Sequence, residues 1–392
     1  MTGPQRQRWP RWWPVLPLAL VGLLVVIVVA QKPSAPLSVM PEPPNRTSVP
    51  SSTTTSPTTT SATTSTPASS GDEPLRRSVG RPILGITAGW DLFVAGEHAV
   101  MRIHPATGSI VTTAQPKAAP PLAGATWIGV DRTSVVVGME GLAGVGYLVA
   151  DDRPAVPLPI GLATVQQLWP GPAPGLWWAT GQDWRPTGDP PWVARVVQPD
   201  LGPTERTARL PSEEMDGVWT GDGAGGLLYL TANRIYQLSS GAPLLLHSGT
   251  VVAVGAGKLL IDDCDERLRC GMGVFDVRSW SWTPVPAVAG LSDRWIAALS
   301  GDGRLAVAVS SRVDLVDRPL LIDLRTGHTM RLAKPINLSG PNAIVFSPDD
   351  SWLFAIDSGW KLVAFDTATG ADHPLELGLP PVSAVAVRPE AA

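Results

Sequence analysis

The sequence predicts an all-β protein: a seven-bladed β-propeller of four-stranded antiparallel blades, preceded by one N-terminal transmembrane helix and a disordered linker. Three observations carry the prediction. A turn of the type Asp366-Thr367-Ala368-Thr369-Gly370 follows a short apolar run, and matches begin at residues 104, 151, 198, 237, 276, 323 and 366. These anchors lie 47, 47, 39, 39, 47 and 43 residues apart, the repeat length of a four-stranded propeller blade. Pro (41) and Gly (39) make up a fifth of the 392 residues, which suits many tight turns and opposes long helices.

Taken in order, the chain begins with Arg6, Arg8 and Arg11, then runs uncharged from Trp12 to Ala30. Nineteen helical residues reach roughly 28 Å, close to the hydrocarbon thickness of a bilayer. Trp9, Trp12 and Trp13 sit at the basic end, where indole favours the interface, and the basic flank should stay in the cytoplasm. Val28-Val29-Ala30 also loosely fits a signal-peptide cleavage site, and either reading sends the bulk of the chain outside. From Lys32 to about Arg81 comes a linker. Of the 24 residues from Thr47 to Ser70, 21 are Ser, Thr or Pro, a composition that cannot build a core and reads as a stalk.

The blades follow. Innermost strands are expected at Ile83–Ala88, Thr126–Val130, Val165–Trp169, Gly217–Gly221, Val251–Gly255, Trp295–Ser300 and Asn342–Ser347. Second strands are expected in apolar runs such as Asp91–Ala95, Gly226–Leu230 and Trp352–Ile356. Gly-Asp-Gly (221–223 and 301–303) and Pro-Asp-Asp (348–350) supply tight turns between them. A strand-like piece, Val382–Arg388, is left over. It is expected to close the ring beside the first blade, competing with or extending Ile83–Ala88. The boundaries are thus 1–11 cytoplasmic tail, 12–30 signal-anchor, 31–81 linker and 82–392 propeller.

The run F-S-P-D-D-S-W-L-F-A-I-D with V-A-F-D-T-A-T-G resembles the broad group of bacterial extracytoplasmic WD-like, TolB-like and quinoprotein-like propellers. Those families carry S-P-D-G before the second strand and D-x-x-T-G after the third. The resemblance implies the fold and leaves activity open, because propellers host many functions. Quinoprotein repeats add a docking Trp shortly after the turn. Here Ala-Asp-His-Pro follows Gly370 and His-Thr-Met-Arg follows Gly327, so no quinone is expected, nor any other cofactor.

Charge and chemistry narrow the classes. Outside residues 1–30, 27 basic residues face 34 acidic ones, so no nucleic-acid footprint exists. Of the 30 basic residues 25 are Arg, a bias expected of a GC-rich, actinobacterial type of genome. Cys264 and Cys270, the only cysteines, flank the turn between the second and third strands of the fifth blade, and a local disulfide is expected outside the cell. The five His make no metal-ligand spacing and there is no Gly-x-Ser-x-Gly elbow, so no catalytic or metal site is expected.

The 16 tryptophans are the candidate binding residues. Trp127, Trp169, Trp219 and Trp295 fall on or beside innermost strands, which line a propeller's channel. They could form an aromatic surface for a glycan or peptide, or simply pack between blades. Trp184 and Trp192 lie in or beside the long loop D-W-R-P-T-G-D-P-P-W of the third blade, where an insertion on a rigid scaffold can carry recognition. The sequence therefore points to a single-pass protein of the cell membrane with an extracytoplasmic propeller. Its expected role is a non-enzymatic binding or assembly platform. Its partners are the membrane, through the N-terminal helix, and an envelope protein or glycan, with no nucleic acid. A propeller hydrolase or lactonase, a quinoprotein-like enzyme and a glycan-binding module are the alternatives.

Overall fold

The computed structural model describes residues 75–388 apart from 84, 88, 115–125, 140–145, 152, 159, 184–191, 199–201, 209–216, 232, 239–240, 265–269, 287–293, 311–317, 338–341 and 374. The expected tail, signal-anchor and most of the linker lie outside the described residues. Among the described residues, no helix is long and apolar enough to cross a membrane.

Among the described residues the strands form seven antiparallel sheets. Each innermost strand touches its neighbours in sequence, save at the fourth and fifth blades, where the third strand of one meets the innermost strand of the next; the last blade returns to the first. The result is a seven-bladed β-propeller. The seven turn anchors all fall within two residues of the end of a third strand, and on its last residue at His104, Gln198, Asp276, Asp323 and Asp366. Tight turns repeating every 39–47 residues therefore mark one structural position, and the apolar runs between them have only one geometry available.

The core is divided among the seams between blades. Seven buried apolar clusters occupy the seven seams, one each. Strand alternation explains this. In Trp352–Ile356 the side chains of Trp352, Phe354 and Ile356 enter the seam with the first blade, while Leu353 and Ala355 enter the seam with the sixth. A strand buried on both faces reads as a continuous apolar run, which is why the second strands stand out in the sequence.

The ring closes through both ends of the described chain. Val382–Arg388 is the innermost strand of the first blade, paired antiparallel with Asp91–Gly96. The expectation that Ile83–Ala88 would hold that position is corrected. Gly85 takes a left-handed φ of 87°, and Ile86 N–H donates to the Ile83 carbonyl at 3.2 Å, so this segment turns instead of extending. Ile83 and Ile86 are buried in the seam between the seventh and first blades. A second correction concerns the linker boundary. Leu75–Val79 is a fifth, outermost strand of the first blade, paired with Ser109–Ala114.

Two sets of polar contacts fasten neighbouring blades. On the face of the ring that carries the turns between first and second strands, Asp131 accepts the Gly175 N–H at 2.7 Å. Asp350 accepts Gly301 and Asp302 N–H at 2.9 and 3.1 Å, and the Asp222 carbonyl accepts Gly257 N–H at 2.7 Å. Closer to the axis, Asn342 accepts Val385 N–H through its carbonyl (2.7 Å) and Ile128 N–H through its side chain (3.0 Å). One residue before the seventh blade thereby satisfies edge groups of the first and second.

Candidate functional site

The sequence-nominated tryptophans separate by burial. Trp127 is fully buried in the seam between the second and third blades, and Trp219 is buried in the next seam, edge-on to Tyr229 at 5.2 Å. Trp169 is half-buried in that same seam. These three pack blade against blade, the second of the two roles the sequence left open for them. Trp295 differs: it is 63% exposed on the innermost strand of the sixth blade. Trp184 lies outside the described residues, and of Trp192 the structure describes only its place in the strand Trp192–Gln198.

An aromatic surface does exist, on the outer rim of the fourth and fifth blades. The outermost strand of the fifth blade, Ser281–Pro284, follows a turn at Val277–Trp280. Trp280 is 52% and Trp282 37% exposed, and Leu244 and Leu245, on the fourth blade's outermost strand that also carries His247, are 48% exposed each. These rings are held in place. Trp282 stacks on His247 of the fourth blade, centroids 4.8 Å apart and 17° between planes. His247 leans on buried Phe275 at 5.3 Å, and Phe275 meets Trp280 edge-on at 6.3 Å.

Local sequence explains the arrangement. A Cβ at Gly273 would lie 2.1 Å from the Trp282 ring, so only glycine lets that indole lie down on the sheet. Trp280 adopts a left-handed φ of 56°, held by its N–H bond to the Asp276 carbonyl at 2.9 Å. Asp276 caps the same turn, accepting Arg278 and Ser279 N–H at 2.8 and 3.0 Å while pairing with Lys258. The Lys258 ammonium, then the Ser279 N–H, hold this carboxyl well below its ordinary value. A non-glycine residue in the left-handed region costs energy, and the surrounding contacts keep it there. Chemically the rim offers large, fixed apolar faces with polar edges, a surface for binding a partner's apolar or sugar-like face. Its signal in the sequence was the alternation Trp280-Ser281-Trp282, which runs from the turn into the edge strand Ser281–Pro284.

The cysteine expectation agrees with the structure. Cys264 ends the second strand and Cys270 begins the third strand of the fifth blade, directly paired across the hairpin with Cα atoms 3.9 Å apart and joined as a disulfide. The closing strand carries a second polar feature the sequence did not announce. Arg388, buried, donates to Asp91 at 2.9 Å and to both oxygens of Asp151 at 2.9 and 3.0 Å. Arg102 bonds the same two carboxylates at 2.8 and 2.9 Å. The Arg388 guanidinium also lies 4.9 Å from the Phe93 ring centroid. Burial alone would disfavour its charge; the bonds to Asp151 and Asp91 reverse this and raise its pKa. Among the described residues, no group of three His, Cys, Asp or Glu could hold a metal ion.

No protein-family model and no curated protein matches the chain. Among solved structures, it is similar to the computationally designed Ika8 protein, with a TM-score of 0.41, 11% identity, and 78% of this chain and 90% of that one covered. It is also similar to Hsv2p of Kluyveromyces lactis, with a TM-score of 0.38, 11% identity, and coverage of 62% and 73%. The propeller assignment rests on the chain's own strand order and seams.

Proposed function

We propose that the protein is a membrane-anchored, extracytoplasmic propeller of the bacterial envelope, acting as a non-enzymatic binding or assembly platform. Its recognition surface is the aromatic rim of the fourth and fifth blades. The apolar run Trp12–Ala30 behind three arginines and the Ser/Thr/Pro stalk support the anchored, outward placement. The observation that carries the binding role is the pair Trp280 and Trp282, exposed yet fixed by Gly273, His247 and Phe275. Exposed aromatic rings held rigid lose little entropy when a partner covers them. The partner is an envelope protein or glycan that presents an apolar face.

Replacing Trp280 and Trp282 together by Ala should abolish capture of that partner by the full chain in envelope crosslinking, with the thermal midpoint little changed. Undiminished capture by the double variant would remove the rim from the proposal. Turnover of a small substrate with no captured partner would remove the platform role itself.

A further inference from the structure

A cavity of 340 Å³ opens in the seventh blade, well away in sequence from the aromatic rim. Leu362, Leu375, Leu379 and Pro380 give it apolar lining, and Asp357 and Lys361 bring charge to it from the turn between the second and third strands. Its size falls at the low end of the range for small-molecule sites, which are mostly apolar with a few placed polar groups.

The charges balance in a specific way. Lys334, a second lining ammonium, is neutralised by Asp372 at 2.6 Å. The lining His373 is turned edge-on to Trp352, with centroids 4.8 Å apart. One oxygen of Asp357 accepts Gly359 and Lys361 N–H at 2.8 and 2.9 Å, which fixes the carboxylate within the turn. Among the described residues, neither the second Asp357 oxygen nor the Lys361 ammonium has a hydrogen-bond or ion-pair partner. Half-buried Asp357 and exposed Lys361 thus line the cavity with one charge of each sign beside an apolar wall.

We infer that this cavity binds a free α-amino acid with a branched aliphatic side chain. Lys361 takes its carboxylate, Asp357 its ammonium, and the leucines and proline its side chain. A plain anion would meet the Asp357 charge and a plain cation the Lys361 charge, so a ligand carrying both signs is the complementary one. The site also touches the ring's closure. Gly378–Pro380 lead into the closing strand Val382–Arg388, and Val382 N–H donates to the Trp360 carbonyl of the same turn at 2.8 Å. Ligand held between that turn and this segment stabilises the seam.

The test is titration of the full chain with L-leucine, L-isoleucine, L-valine, N-acetylleucine, leucinamide and glycine. It is read by calorimetry and by hydrogen exchange of residues 382–388. At least one branched amino acid should bind saturably and slow exchange in the closing strand. Its affinity should exceed that of N-acetylleucine and leucinamide by about tenfold, the worth of one charge-assisted hydrogen bond. Asp357→Asn keeps an acceptor for the turn and should erase discrimination against N-acetylleucine; Lys361→Met should erase discrimination against leucinamide. Equal binding of N-acetylleucine to the unmodified chain, or no saturable binding by any branched amino acid, overturns the inference. So does binding that neither variant alters.

Discussion

Arg388→Met removes the one guanidinium that ties the last strand to two blades at once, while keeping most of the apolar stem. Arg388 is 7% exposed, and its partners differ: Asp91 is buried, whereas the Asp151 side chain is 42% exposed. Stripping one member from a buried ion pair costs about 3–5 kcal/mol, because the remaining charge is left uncompensated. Two features place this case at the low end. Arg102 still bonds both carboxylates, and Asp151 can turn to water. The expected loss is therefore about 3 kcal/mol, a fall of about 5 °C in the thermal midpoint of a domain this size. Denaturant unfolding of the full chain measures it, and a double-mutant cycle with Asp91→Asn isolates the pair. The cycle should show clear coupling, since Asn without Arg388 relieves the stranded charge. A loss below about 0.5 kcal/mol, the level of an ordinary surface substitution, or strictly additive variants would refute the clasp.

Other consequences follow from the same geometry. Replacing Cys264 and Cys270 by Ser opens a seven-residue loop and should cost about 2 kcal/mol, seen as an equal effect of reductant on the unmodified protein. Gly273→Ala drives a methyl into the Trp282 ring and should cost about 1–3 kcal/mol, with a red shift of tryptophan emission as the indole is displaced toward water. Lys258→Met removes the strongest cause of the lowered Asp276 pKa. Because that pKa is depressed in the folded state, its stabilisation is full above the ordinary value of 3.8 and is lost as pH falls through the folded value. The unmodified protein should thus exceed the variant in stability at pH 6 and converge toward it in acid, as followed by unfolding at several pH values.

Much of the ring was legible because a propeller repeats its physics. Turn residues at fixed spacing and strands buried on both faces leave strong local marks, as in Leu320–Asp323 followed by the turn to Gly327. The first blade was misread for a non-local reason. Ile83-Leu84-Gly85-Ile86 looks as apolar as an innermost strand, but Val382–Arg388 holds that place and is itself held by Arg388 through Asp91 and Asp151. The left-over strand pattern of Val382–Arg388 pointed to closure beside the first blade, but which segment takes the innermost place is decided by contacts between residues nearly 300 positions apart. Leu75–Val79 was hidden likewise: its sequence, Leu-Arg-Arg-Ser-Val, is that of an exposed edge, and its place depends on the partner strand Ser109–Ala114. The tryptophans show the limit for sites. Residue type signals aromatic chemistry, but only the seam geometry separates buried Trp127 from exposed Trp282.

The most direct measurement places a photo-crosslinking residue at Leu244, exposed on the outer strand whose His247 stacks on Trp282, and in a second protein at Arg76 on the exposed outer strand of the first blade. Each full chain is illuminated in the cells that produce it. The account predicts a defined protein or glycan adduct from position 244 that is absent from position 76 and lost when Trp280 and Trp282 are Ala. Equal adducts from both positions, or an adduct at 244 that survives loss of both indoles, would contradict it.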